Sequence, residues 1–241
     1  MRYATPIGVV LLTALGLQPA NAATVPFFSH PGQIDKTLWY ISNGWADGDI
    51  QSCEWRADEI SVDQSNIKIT LDNKIGKVRP YGCGEIHTNQ RTGYGTYEAV
   101  LRSAAGSGLN TAFFTYVGPP VGVPAHDEID FEFLGKNSRT VQVNYFVNDK
   151  SQDGTVINLG FDAAAGFHSY SFTWEPTRIR WFIDGKQVHE TKPGAKIPAS
   201  PGRIYLSLWS GSKIINSWLG PFTYKGPYTA EYSSVKFTPL P

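Results

Sequence analysis

Three acids stand at alternate positions in His126-Asp127-Glu128-Ile129-Asp130-Phe131-Glu132-Phe133-Leu134. Side chains on a strand alternate between its faces with period two. As a strand, this segment places Glu128, Asp130 and Glu132 on one face and Ile129, Phe131 and Phe133 on the other. Burying the apolar face is ordinary. A row of carboxyls is not, because like charges at neighbouring same-face positions repel and raise one another's pKa. Such a row is useful where one acid must stay protonated near neutral pH while another stays ionised. Cutting a glycosidic bond with two carboxyl groups has that requirement. A solvated strand face is the plainer alternative. A calcium loop is another, but such loops carry Gly and Asn among their acids, and here the spacers are Ile and Phe.

The elements that would hold this row are short strands. Turn signals recur at Asn43-Gly44, Asp47-Gly48, Tyr81-Gly82, Gly106-Ser107-Gly108, Gly118-Pro119-Pro120, Asp184-Gly185 and Ser200-Pro201-Gly202. Between them lie runs of β-type composition at 67–71, 95–101, 141–146, 169–174, 178–183 and 203–209. Many short alternating strands with Gly/Pro turns predict an all-β sandwich of two antiparallel sheets. Asp184-Gly185, between Ile183 and Val188, predicts a two-residue hairpin. No amphipathic helix longer than about three turns is evident. In the strand that follows the acids, Gln142, Asn144 and Phe146 share one face. If the two strands are neighbours, Gln142 and Asn144 line the same groove as Glu128 and Glu132.

Composition narrows the class. The chain has 241 residues, with 21 basic and 21 acidic side chains and zero formal charge. That leaves no electrostatic footprint for nucleic acid or an anionic membrane. Arg2, the apolar run at 7–17 and Ala20-Asn21-Ala22 read as a signal peptide cleaved after Ala22. The run is too short for a membrane anchor, which takes about 20 apolar residues. The expected product is a secreted, monomeric, single-domain protein of residues 23–241. In that compartment Cys53 and Cys83 read most simply as one disulfide. A metal pair or a reactive thiol lacks partners, since no CxxC motif and no nearby His motif occurs.

These residues carry a resemblance. Asp127-Glu128-Ile129-Asp130-Phe131-Glu132-Phe133-Leu134-Gly135 resembles the active-site signature of glycoside hydrolase family 16. Cys53-Glu54-Trp55, Tyr81-Gly82-Cys83-Gly84-Glu85, Gly93-Tyr94-Gly95-Thr96-Tyr97-Glu98, Phe113-Phe114-Thr115-Tyr116, Asn158-Leu159-Gly160-Phe161-Asp162 and Trp218-Leu219-Gly220 extend it along the chain. The likeness is to bacterial lichenases, which are endo-β-1,3-1,4-glucanases, and to secreted endoglycanases that trim rhizobial exopolysaccharide.

The resemblance implies a curved β-jelly-roll with a cleft on its concave face. It implies Glu128 as nucleophile, Glu132 as acid/base and Asp130 as the assisting acid between them. It also implies a Cys53–Cys83 disulfide and sugar contacts from Glu85, Tyr116, Asn144, Trp209 and Trp218, with Asn43 or Trp45 at one end of the cleft. The chain departs from lichenases at His126, where they carry Trp, and at His87, Phe146 and Ser207, where they carry Arg, Tyr and Asn. His126 has the parity of Glu128 and is expected to face the cleft, replacing Trp in a sugar contact. His87 and Phe146 are expected to touch substrate as well.

No cofactor enters the scheme. Family members bind a structural calcium through an acid near the C-terminus, but here Ser stands at the expected Asp position, which counts against the metal. Oxygens of the two Glu must approach within about 5–5.5 Å for a retaining mechanism. Their Cα atoms lie roughly 13 Å apart on a flat strand. Two long Glu side chains on a concave surface converge, whereas two Asp would not. Ionised Glu128 and Asp130 are expected to hold the Glu132 pKa up. The competing readings are a lectin-like module, which a hydrolysis assay excludes or supports, and a transglycosylase, which product sizing with an added acceptor reveals.

Overall fold

A computed structural model describes residues 26–27, 34–63, 66–118 and 125–240. The expected signal peptide lies outside the described residues. In chain order the strands are β1 (Pro26–Phe27), β2 (Trp39–Ile41), β3 (Cys53–Trp55), β4 (Ile60–Asp63), β5 (Asn66–Leu71) and β6 (Tyr81–Thr88). There follow β7 (Gly95–Arg102), β8 (Leu109–Tyr116), β9 (Glu128–Leu134), β10 (Thr140–Val147), β11 (Lys150–Ser151) and β12 (Thr155–Asn158). The last are β13 (His168–Glu175), β14 (Arg178–Ile183), β15 (Lys186–Glu190), β16 (Arg203–Ser210) and β17 (Tyr228–Pro239). The one described α-helix is the four-residue turn Asn216–Leu219. No described helix is long and apolar enough to cross a membrane.

The strands form two sheets, as the alternating patterns predict. One runs β15-β14-β13-β7-β17-β5-β4 with β1 on β17. The other runs β11-β10-β9-β8-β16-β6-β2, with β12 on β10 and β3 on β6. Pairing is antiparallel except between β3 and β6. The hairpin at Asp184-Gly185 forms, with φ of +48° and +76° at its two residues, which suits the primed turn that joins twisted strands.

The core sits between the sheets and is aromatic. Phe113 of β8 and Phe131 of β9 stack at 6.4 Å. Phe131 meets Tyr170 of β13 edge-on at 5.7 Å, and Phe172 stacks on Tyr97 at 4.8 Å. Ring pairs of this kind add about 0.5–1.5 kcal/mol beyond the area they bury. The apolar face of β9 is therefore locked against the opposite sheet, and the acidic face must point the other way. Trp181 reinforces this by donating its indole N–H to the Asp130 carbonyl at 3.3 Å.

Cys53 and Cys83 form the disulfide, with Cα atoms 5.7 Å apart, and it ties β3 to β6 where they pair in parallel. The acid near the C-terminus is Glu231, and Arg102 binds it while Lys68 stands 3.8 Å away. Two cations serve that carboxylate.

Candidate active site

Strand register lays the exposed face of the second sheet out as a grid. One row, running across the strands, reads Phe146, Glu128, Tyr116, Arg203. The next reads Asn144, Asp130, Phe114, Tyr205, His87, Tyr40. The third reads Gln142, Glu132, Ala112, Ser207, Glu85. Beyond it Asn110 pairs with Trp209. Every position follows from period two along its own strand and from antiparallel pairing with its neighbour.

A groove of about 970 Å³ opens over this grid. Its floor carries Glu128, Asp130 and Glu132, with Glu85, His87, Tyr116 and Trp209 around them. These seven sequence-predicted residues are brought together. From β9 to β2 the groove crosses four strand spacings, roughly 19 Å. Trp45 lines it, whereas Asn43 spends its side chain on the Ala57 backbone N–H at 3.0 Å.

Four expected sugar contacts are not among the residues that line the groove. His126 does not face the groove: it is 3% exposed. Its Nε2 contacts Glu128 Oε2 at 2.5 Å and its Nδ1 contacts Asp149 Oδ1 at 2.8 Å. It shares the side of Glu128, as parity predicts, but the rings of Phe146 and Tyr116 cover it. Phe146 stacks on the His126 ring at 4.9 Å instead of lining the groove. Asn144 is buried, and its Oδ1 accepts hydrogen bonds from Ser151 Oγ at 3.0 Å and the Asp153 N–H at 3.2 Å. Trp218 donates its indole N–H to Gln142 Oε1 at 2.8 Å and stands 6.1 Å from the Trp209 ring.

The three acids occupy different environments. Asp130 is 2% exposed, and burial, followed by the charges of Glu128 and Glu132, lifts its carboxyl well above the usual range. Its oxygens meet no protein donor. Burial pushes Glu132 up to about 8; the Glu128 charge adds to this, and a hydrogen bond from Asn110 Nδ2 at 3.2 Å opposes it. Glu132 keeps part of its surface open to the groove. The expected cause is thus corrected. Burial comes first and the Glu128 charge second in raising Glu132, and Asp130 does not contribute to that rise.

His126 completes the site from beneath. Burial disfavours its charged form, but the contacts to Glu128 and Asp149 outweigh burial and raise its pKa. Both ring nitrogens face carboxylates, so the ring that donates to both is the imidazolium. The tight turn after β10 supplies the partner: Asn148 and Asp149 both have positive φ, and the Asp149 N–H donates to the His126 carbonyl at 2.8 Å.

Opposite, Glu85 is 5% exposed and accepts from Ser42 Oγ at 2.6 Å. Burial carries it to about 8, with the Asp47 and Glu128 charges adding and Ser42 opposing. Asp47, Asn110, Phe114, Tyr40, Tyr205 and Arg203 also line the groove and were not singled out from sequence. Alternation along 109–116 and 203–210 holds the signal for four of them. Tyr40 and Asp47 belong to short segments without a readable period.

Comparison with known proteins agrees with this geometry. The chain is 43% identical over 205 residues to the endo-1,3-1,4-beta-glycanase ExoK of Rhizobium meliloti, covering 85% of this chain and 76% of that protein. It is 37% identical to a beta-glucanase of Paenibacillus polymyxa, covering 88% and 87%. The solved Bacillus licheniformis beta-glucanase superposes with a TM-score of 0.82 at 36% identity, over 89% of this chain and 98% of that one. The family model for glycosyl hydrolases family 16 matches residues 47–233. A groove floored by alternating acids on a two-sheet sandwich, together with this match over most of its length, makes the chain a glycoside hydrolase that belongs to family 16.

Proposed function

We propose that the protein is a secreted endo-β-glucanase that hydrolyses mixed-linkage β-1,3-1,4-glucan, or a bacterial exopolysaccharide of similar linkages, with net retention of configuration. The endo-1,3-1,4-beta-glycanase and beta-glucanase relatives support the linkage, and the N-terminal pattern of residues 1–22 supports secretion. The observation that carries the chemistry is the pairing of Glu128 and Glu132 on one groove floor. Burial keeps Glu132 protonated, and His126 holds Glu128 by a hydrogen bond.

In the first step the Glu128 carboxylate attacks the anomeric carbon while Glu132 gives its proton to the departing glycosidic oxygen. The C–O bond to the leaving sugar breaks, and an ester to Glu128 forms. In the second, Glu132, now ionised, takes a proton from water, and the hydroxide displaces Glu128 from the anomeric carbon. His126 holds Glu128 through its Nε2, fixing its position and steadying the carboxylate that leaves in this step, with the buried Asp130 between the two Glu on the same face. A groove crossing four strand spacings, roughly 19 Å, suits attack within a chain.

Proton NMR of the first product from barley β-glucan tests the mechanism, and a β-configured reducing end is expected. An α-configured one defeats retention. With activated aryl glycosides and azide, Glu132→Ala is expected to yield the β-glycosyl azide and Glu128→Ala the α-anomer. Swapped anomers would reverse the two roles.

A further inference from the structure

The groove is acidic along its floor and basic at one end. Arg203 lies in the same row as Glu128, two strands away, roughly 10 Å at the backbone. It lines the groove, and its Nε is buried without a hydrogen-bond partner. Gly118 lies beside it with φ +82°. A Cβ placed on Gly118 would stand 3.0 Å from an Arg203 terminal nitrogen, 3.3 Å from the Tyr205 hydroxyl and 3.7 Å from an Arg91 terminal nitrogen. Three donors thus crowd one point beside Gly118, which lines the groove and carries no side chain there. The other Arg91 terminal nitrogen donates to the Pro201 carbonyl at 3.1 Å, which orients the guanidinium without neutralising it.

Neither arginine forms an ion pair among the described residues. The segments outside the description contain no Asp or Glu. Two cations held this close repel each other, so an anion bound between them is favoured. Their field reaches the groove floor: after burial, these two charges push the His87 pKa down. The chain as a whole has zero formal charge, so the attraction is local. The hydroxyls of a neutral glucan do not call for a guanidinium pair. A carboxylate does, because the planar fork of Arg matches its two oxygens.

We propose that Arg91, Arg203 and the Tyr205 hydroxyl form a subsite for a carboxylate carried on the polysaccharide, so that an anionic β-glucan is preferred over a neutral one. The proposal rests on the groove being the glucan-binding site. The carboxylate is either that of a sugar acid or that of a pendant acidic substituent, and two polymers separate these sources. Barley β-glucan is oxidised at C6 to a low degree in one, and carboxymethylated to a low degree in the other.

Initial rates on both polymers and on the neutral parent give the ratio of anionic to neutral kcat/KM. In the full-length enzyme at low salt that ratio is expected to exceed one for at least one anionic polymer. It should collapse in 0.5 M NaCl, which screens exposed charges. In the Arg91→Gln/Arg203→Gln double variant it should fall about tenfold, the effect of losing roughly one charge-assisted hydrogen bond. The Arg91→Lys/Arg203→Lys variant keeps the charges and should retain part of the preference, which covers the case in which the Gln variant folds poorly. The anionic polymer that is preferred tells where the carboxylate is carried, and either preference supports the subsite.

Equal ratios in wild type and the Gln variant, or equal loss on neutral and anionic polymers, would overturn it. Native gels containing each polymer read binding without cleavage. Retention by an anionic polymer that depends on Arg91 and Arg203, with no polymer cut, would sink the glucanase reading and leave the subsite standing. Cleavage of the neutral parent with no arginine-dependent preference would sink the subsite alone.

Discussion

His126 shows how one residue can change role between a pattern and a fold. Its ring nitrogens are committed to Glu128 and Asp149, and its faces to Phe146 and Tyr116. It positions Glu128 and has no free edge for a sugar. Replacing it with Gln should lower kcat by about 10–100-fold, the scale of a small misplacement of a reacting group, with KM little changed. A raised KM at intact kcat would return His126 to substrate binding.

In the proposed mechanism Glu132 is the acid, a role that requires its proton. Its raised pKa therefore keeps activity at neutral pH, and kcat/KM should fall as pH climbs through about 8. Asn110 stabilises the charged form, so Asn110→Ala should move that basic limb to higher pH. A limb that stays in place, or moves down, would detach Asn110 from this control. Glu85 has a different consequence. A buried carboxyl with a pKa near 8 binds its proton in the folded state and loses it at about 4.3 when unfolded. Its share of stability is present at low pH and declines as pH rises towards 8. Glu85→Gln removes that decline, so its melting temperature relative to wild type should rise between pH 5 and pH 9 in calorimetry.

At the scale of elements, β9 carries both the core and the chemistry, and each constrains the other. Slipping its register by one residue would swap three carboxyls for Ile129, Phe131 and Phe133. The ring contacts of Phe131 with Phe113 and Tyr170 prevent this. β6 is held in another way. The disulfide joins it to β3 two residues before Glu85, and a Cβ on Gly84 would meet Ile69 at 2.6 Å and Ile60 at 2.7 Å. Closing a loop with a sequence separation of 30 contributes roughly 3–4 kcal/mol in the chain-entropy model. A Cys53→Ala/Cys83→Ala variant should lose stability on that scale in urea unfolding. A loss below about 1 kcal/mol would mean that the parallel pairing of β3 and β6 holds without the bond.

At the scale of the whole molecule, two sheets share one core, so only one outer face of the second sheet is left for a ligand. The groove on that face crosses strands from distant parts of the chain. Its floor comes from β9, its aromatic shelf of Phe114, Tyr205, His87 and Tyr40 from four other strands, and its basic end from β16 and the loop bearing Arg91. Endo action follows from this breadth. Early digestion of barley β-glucan should drop viscosity steeply and give mixed oligosaccharides. Release of glucose alone would contradict endo action.

The sequence by itself determined what depends on local order. Period two gave the strand at 128–134 and its two faces, Asp184-Gly185 gave a hairpin, and the spacing of Gly and Pro gave the sandwich class. The motif at 127–135 also carried the family, and Cys53 and Cys83 were the only thiols able to pair. Only the tertiary structure decided which side chains meet across strands far apart in sequence. It buried His126 and gave its nitrogens to Glu128 and Asp149, turned Asn144 and Trp218 to support other groups, and set Arg203 beside Arg91. It also buried Asp130, which lifts its carboxyl well above the usual range. The alternation of 128–132 displays three equal acids. Their inequality comes from desolvation and from partners on β8, β10 and the loops, which no period along one strand records.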